Sequence, residues 1–169
     1  LGYAILLATF VVCSYAAAVS VAGARRGSRR LVESGIGAFH MVTALMVMAS
    51  VLMVHAFVTN DFSIRYVSRY SDSFQPLFFK ITSYWGGLDG SIMFWVFLLA
   101  VFGSAAVYIN RERHRELIPY VVAVISVVQM FFLFLMIVHN NPFETFLTQT
   151  PADGTGLNPV LQNFYMVIH

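Results

Sequence analysis

Five histidines stand out as candidates for chemistry: His40, His55, His114, His139 and His169. Imidazole is the usual ligand for haem iron and other transition metals, and it is costly in lipid unless its nitrogens are satisfied. No ligand spacing such as His-Glu-x-x-His links the five, so their depth along the chain must separate them. His114 falls among arginines and reads as a solvated surface residue. His40 reads as a hydrogen-bonded residue within a helix bundle. His55 and His139 lie near the ends of apolar runs, and His169 follows another, so these three could share one aqueous-facing region. The single cysteine, Cys13, sits inside an apolar run. It permits no disulfide within the chain and no cysteine-based metal cluster, and reads as a small buried hydrophobe.

A second group is the run Tyr84-Trp85-Gly86-Gly87-Leu88-Asp89-Gly90-Ser91. Three glycines in five positions allow positive φ angles and close backbone approach that a Cβ would obstruct. Asp89 or Ser91 is placed to cap a following helix. The free N–H groups of such a helix start suit an anion, for example a haem propionate. A purely structural turn fits the same residues.

What must position these groups is a set of membrane helices. The 169 residues are 59% hydrophobic and 11% charged, whereas a soluble domain is about 45–50% apolar and about 25% charged. Four apolar blocks, Leu1–Ala24, Ile36–Thr59, Ser91–Ile109 and Ile118–His139, are each long enough to cross a hydrocarbon core of about 30 Å. The expected fold is therefore an all-α integral membrane protein with four transmembrane helices, about 1–24, 36–59, 91–109 and 118–139, forming one transmembrane domain over 1–169. Small residues along the first block (Ala4, Ala8, Ala16, Ala17, Ala18, Ala22, Gly23) predict close helix packing. Phenylalanines in the third and fourth blocks read as lipid-facing or core residues.

Charge then orients the bundle. Seven of the ten basic residues are arginines in two short connections, Arg25, Arg26, Arg29 and Arg30 in one and Arg111, Arg113 and Arg115 in the other. Their position beside apolar blocks points to topology and not to nucleic acid, and the positive-inside rule puts both connections in the cytoplasm. The outer loops 60–90 and 140–169, near neutral or acidic, then face the periplasm, together with both ends of the chain. Within the first loop, Phe74 to Trp85 mixes aromatic residues with Lys80, and an interfacial helix over about 74–84, begun near Pro76, is expected. In the second, Asn141-Pro142 resembles a helix start, Asp153 to Pro159 is turn-rich, and Phe164 to His169 looks like the approach to a fifth membrane helix. Leu1 in place of Met, and His169 directly after an apolar run, suggest a fragment of a larger polytopic protein whose first block is a retained helix and not a signal peptide.

Four short pieces resemble the CcmF family of cytochrome c haem lyases, within the haem-handling protein superfamily. They are Ala56-Phe57-Val58-Thr59-Asn60-Asp61-Phe62; Trp85 to Ser91 followed by Trp95; Asn141-Pro142-Phe143; and Gly156-Leu157-Asn158-Pro159-Val160-Leu161-Gln162 with Ile168-His169. The resemblance implies the N-terminal part of a multi-pass protein of the bacterial inner membrane that holds haem b at its periplasmic face for thioether attachment to an apocytochrome c. It further implies a haem carrier of the CcmE type and a thiol-handling subunit of the CcmH type as partners, beside the lipid bilayer. His169 matches the histidine that the family uses as an axial ligand of haem iron, and Trp85, Gly86, Gly87, Asp89, Gly90 and Ser91 form the outer turn beside it. The family commonly has His-Glu where this chain has Leu88-Asp89, so the acidic position is kept and an imidazole is not. A fragment ending at residue 169 would not act alone. The lyase for nitrite reductase maturation shares these features. A membrane cytochrome b using His55 and His139, and a transporter or purely structural subunit, are the competing classes.

Overall fold

The computed structural model describes residues 1–146 and 149–168, and the regular secondary structure of those residues is helical, with one isolated β-bridge, Ile64 with Thr145. Four helices are long and apolar enough to cross a membrane: α1 (Gly2–Arg25), α2 (Arg29–Val58), α5 (Leu88–Asn110) and α6 (Ile118–Val138). Short helices α3 (Arg65–Tyr70) and α4 (Leu77–Thr82) and a 3₁₀ turn, Ser83–Trp85, lie between α2 and α5, and after α6 come a 3₁₀ turn at Pro159–Leu161 and α7 (Phe164–Ile168). The protein is a multi-pass membrane protein.

Packing follows the residues. α1 packs on both α2 and α6, while α5 packs on α2 and α6. The buried stripe of α1 is Gly2, Ile5, Leu6, Thr9, Cys13, Ala16, Ser20 and Gly23, at the three- and four-residue spacing of one helix face. Small residues do line the contact, yet Ala4, Ala8 and Ala18 face outward; threonine, cysteine and serine take the buried places beside Ala16 and Gly23. A Cβ on Gly23 would lie 2.7 Å from the Val32 nitrogen and one on Gly35 2.2 Å from Ser20 Oγ, so α1 and α2 approach at backbone distance. Their connection is tight: Ser28 N–H donates to Gly23 O at 2.9 Å, and Gly27 takes the left-handed φ of +62° that ends many helices. The core, including Met46, Met53, Phe57, Met93, Leu133 and Met136, is fully buried. Thr43 Oγ1 donates to Ala100 O at 3.1 Å, and Cys13 Sγ donates to Ser126 O at 3.2 Å, satisfying polar groups that lipid could not.

Two boundaries differ from expectation. α2 begins at Arg29, not at residue 36, because the charged turn Arg29–Glu33, joined by a 2.7 Å ion pair, continues the helix beyond its apolar block. α5 begins at Leu88 with Gly87 at its N-cap, and no side chain caps it; Ser91 lies inside the helix, where its hydroxyl donates to Trp85 O at 2.7 Å.

The bundle has two chemically distinct ends. At one, the arginine-bearing α1–α2 and α5–α6 connections meet, sharing the walls of one cavity. At the other, the two longer connections join: Arg65 N–H donates to Glu144 O at 2.8 Å, Phe146 N–H donates to Ser63 O at 3.2 Å, and Arg65 pairs with Glu144 at 2.8 Å. The start of α1 is at this second end, where Gly2 packs against the Phe143 ring.

Candidate functional site

The glycine turn is moulded onto two tyrosines that sequence reading passed over. Gly87 N–H donates to Tyr66 Oη at 3.0 Å, and the Tyr66 hydroxyl faces the carbonyls of Tyr84 at 3.1 Å, Ser83 at 3.2 Å and Gly87 at 3.3 Å. A Cβ on Gly90 would fall 1.8 Å from Tyr84 O and 2.4 Å from Tyr66 Oη, and one on Gly87 2.3 Å from the Tyr70 ring. Close approach therefore demands these two glycines; Gly86 and Gly87 have ordinary negative φ angles of −71° and −132°. Burial pushes the Tyr66 phenol far above its usual pKa, against the pull of the Gly87 backbone. Tyr66 is thus a neutral hydrogen-bonding hub, held by Phe57 at 5.6 Å and Tyr70 at 4.8 Å between ring centroids.

The segment expected as a helix over about 74–84 forms as α4, Leu77–Thr82, plus the 3₁₀ turn Ser83–Trp85. Pro76 stands at the N-cap of α4, where its missing N–H costs nothing. The stem of Lys80 is buried, and its ammonium donates to Asn60 Oδ1 at 2.6 Å and Ser73 O at 3.4 Å. Asn60 presents that oxygen from a left-handed φ of +55° just past α2, a conformation asparagine tolerates. α4 is thereby fastened to the end of α2.

The turn-rich stretch closes over this segment. Ser73 N–H and Oγ donate to Asp153 Oδ1 at 2.9 and 3.0 Å, Thr155 N–H donates to Ser68 O at 2.8 Å, and Gly156 N–H donates to Ser71 O at 3.1 Å. The Gly154 N–H is the chief group holding the Asp153 carboxyl below the usual range, with the two Ser73 donors adding to it. Buried Gln75 joins both loops: its amide donates to Ser83 Oγ at 2.9 Å and accepts from Leu157 N–H at 3.3 Å. Asn141 does not start a helix; its side chain instead accepts from Phe143 N–H at 3.0 Å in a local turn.

These ties bring Trp85 to α7. The indole Nε1 donates to Val167 O at 3.4 Å, the ring stacks on Phe94 at 5.2 Å, and Phe78 of α4 stacks on Phe164 of α7 at 5.5 Å. Phe78, Leu88, Phe164 and Tyr165 remain exposed around it, an apolar aromatic surface at one end of the bundle. Asp89 in the first turn of α5 accepts from Asn140 Nδ2 at 2.9 Å, so a carboxylate already occupies the positive end of the helix dipole. His169 lies outside the described residues, two positions beyond Val167.

The other histidines do not gather. His40 bonds through Nδ1 to Ser104 Oγ between α2 and α5. His55, His114 and His139 are exposed, and no group of three or more His, Cys, Asp or Glu able to hold a metal ion occurs among the described residues.

Fold and site together define a class: a multi-pass helical membrane protein whose longer loops build an aromatic surface at one end. Comparison with known proteins shows what the chain is similar to. The chain is 30% identical over all its 169 residues to a cytochrome c-type biogenesis protein CcmF of Pseudomonas aeruginosa and 31% identical over the same length to a cytochrome c-type biogenesis protein CycK of Rhizobium meliloti. Among solved structures it matches the cytochrome c haem lyase CcmF with a TM-score of 0.74 and 21% identity, covering 88% of this chain and 25% of that one. No family model matches. From end to end, then, the chain is similar to a section of the CcmF-type cytochrome c biogenesis proteins and has their fold. It spans about a quarter of these relatives' length, 26% of the first and 25% of the second.

Proposed function

We propose that this chain is the haem-presenting part of a cytochrome c haem lyase, holding haem b at the periplasmic face of the bacterial inner membrane for thioether attachment to apocytochrome c. The observation that carries the reading is the joining of Trp85 to Val167, because it draws the family-like glycine turn and the segment leading to His169 to one end of the bundle. The positive-inside rule assigns the arginine end to the cytoplasm and this end to the periplasm.

The chemistry of the surface suits such a group. A macrocycle is apolar across its faces, and Phe78, Leu88 and Phe164 offer exposed apolar area beside a stacked indole. In this reading His169 supplies a neutral imidazole to the iron, and Trp85 with Gly86, Gly87, Asp89, Gly90 and Ser91 forms the rigid wall that orients the segment before it. The Asp89 carboxylate would repel an anion at the start of α5, so the turn acts as scaffold and the propionates belong elsewhere. When bound, haem supplies the vinyl groups that react with the two cysteines of the apocytochrome; the protein's work is to fix their position. A CcmE-type carrier would deliver haem and a CcmH-type subunit would present the reduced apocytochrome. The names borne by the relatives favour neither a cytochrome b built on His55 and His139 nor a transporter.

The test is maturation of a reporter cytochrome c in cells whose full-length protein carries His169→Ala or Trp85→Ala. Covalent haem in the reporter should fall at least about tenfold with the first substitution and severalfold with the second. Undiminished maturation in the His169→Ala strain would sink the ligand role.

A further inference from the structure

A cavity lies at the other end of the bundle. About 880 Å³ in volume, it opens between the α1–α2 connection and the α5–α6 connection, where the membrane-long helices end. That is headgroup depth for any bilayer the four helices cross. Arg29, Arg111 and Arg115 line it, with Ile36 and the buried Ile118 supplying apolar wall.

Charge decides what such a cavity prefers. Glu33, Glu112 and Glu116 also line it, but Glu33 is paired with Arg29 at 2.7 Å, and Glu112 with Arg115 and, at 4.0 Å, Arg111. Around them stand Arg25, Arg26, Arg30 and Arg113, so the two connections carry seven arginines against three glutamates. The lining itself balances, Arg29, Arg111 and Arg115 against Glu33, Glu112 and Glu116, and the positive excess belongs to the other four arginines of the same two connections. Arg111 lies with its guanidinium 4.7 Å from the Tyr108 ring centroid, which fixes its plane and leaves N–H donors for an incoming oxygen. His40, in the lining, is already bonded to Ser104, and Arg111, whose nearest carboxylate oxygen on Glu112 is 4.0 Å away, keeps N–H donors for a ligand.

The space is maintained by glycine. Gly37 lines the cavity, and a Cβ there would meet nothing within 4 Å; Gly27 at the mouth is equally open. A side chain at 37 would enter the void without touching the fold, and in a helix any ordinary residue would be the better helix former. Nothing in the packing of α2 asks for glycine at this position.

We propose that this cavity binds the headgroup of an anionic phospholipid, its phosphate taken by Arg111 and Arg115 and an acyl chain leaving past Ile36. Guanidinium groups match phosphate oxygens in bidentate geometry, and basic pockets between helix ends are where such headgroups dock. The site is independent of the haem reading and lies at the opposite end of the bundle from Trp85.

Native mass spectrometry of the full-length protein in a non-ionic detergent, titrated with phosphatidylglycerol or phosphatidylcholine, tests it. One phosphatidylglycerol should bind in preference to phosphatidylcholine. Arg111→Gln with Arg115→Gln should weaken that event at least about tenfold, and Gly37→Leu should do the same with every charge intact. Unchanged phosphatidylglycerol binding in both variants, or equal binding and equal loss of phosphatidylcholine, would overturn the proposal. Complete displacement by free glycerol phosphate at matched concentration would show a small-anion site instead and would overturn the lipid assignment.

Discussion

Tyr66 Oη accepts a hydrogen bond from Gly87 N–H at 3.0 Å, and the same oxygen lies 2.4 Å from where a Cβ of Gly90 would be. That phenol accounts for Gly90 and, through Gly87 N–H, anchors the start of α5, while the Tyr70 ring accounts for Gly87. Tyr66→Phe keeps the ring and strands the buried N–H, so it should destabilise the loop-bearing end of the bundle by about 1–3 kcal/mol. Gly90→Ala forces the Tyr84 carbonyl aside and should cost about 3 kcal/mol or more. Thermal unfolding in detergent should rank Gly90→Ala below Tyr66→Phe and both below the unaltered protein.

Lys80 gives a second prediction. Its ammonium, in a residue only 7% exposed, spans Asn60 Oδ1 and Ser73 O. Lys80→Met preserves most of the stem and removes both donations, leaving two acceptors short of a partner. The expected loss is about 1.5–3 kcal/mol for a charged donor, read as increased hydrogen exchange confined to α4 and the residues after α2. Exchange unchanged there would show that packing alone secures α4.

Asp153 makes the closure of the two longer loops acid-sensitive. Its folded pKa is depressed, chiefly by Gly154 N–H and then by Ser73. The tie is therefore fully present above the ordinary carboxylate value of about 4 and is lost as pH falls through the lower folded value. Protease cleavage near residues 149–157 should increase only at acid pH, with an acid-active protease, and Asp153→Asn should show the same cleavage at neutral pH. Equal resistance of both proteins at neutral pH would contradict this.

How much of this was legible in the sequence follows from range. The four spans were readable because apolar length alone defines them, and the grouping of arginines predicted that the α1–α2 and α5–α6 connections share an end. The first turn of α2 was hidden, since its charges carry no apolar signal although Arg29 and Glu33 pair across a turn. The glycine turn was visible, but its cause was not: Tyr66 and Tyr70 lie about 20 residues earlier, and nothing local says which ring fills the space above Gly87 and Gly90. The contacts of Ser73 with Asp153 and of Trp85 with Val167 each join residues more than 75 positions apart, beyond any periodicity. The expected cap at Asp89 or Ser91 missed because the helix begins earlier, after a glycine at its N-cap that closeness to Tyr70 requires.

The haem reading is tested most directly by the visible spectrum of haem retained in the purified full-length protein, compared between the unaltered chain and His169→Ala. Loss of the imidazole should convert a low-spin fraction to high-spin or remove haem altogether, and added free imidazole should restore the original bands. An identical spectrum and haem content in His169→Ala would contradict His169 as an axial ligand and, with it, the assignment of this end of the bundle to haem.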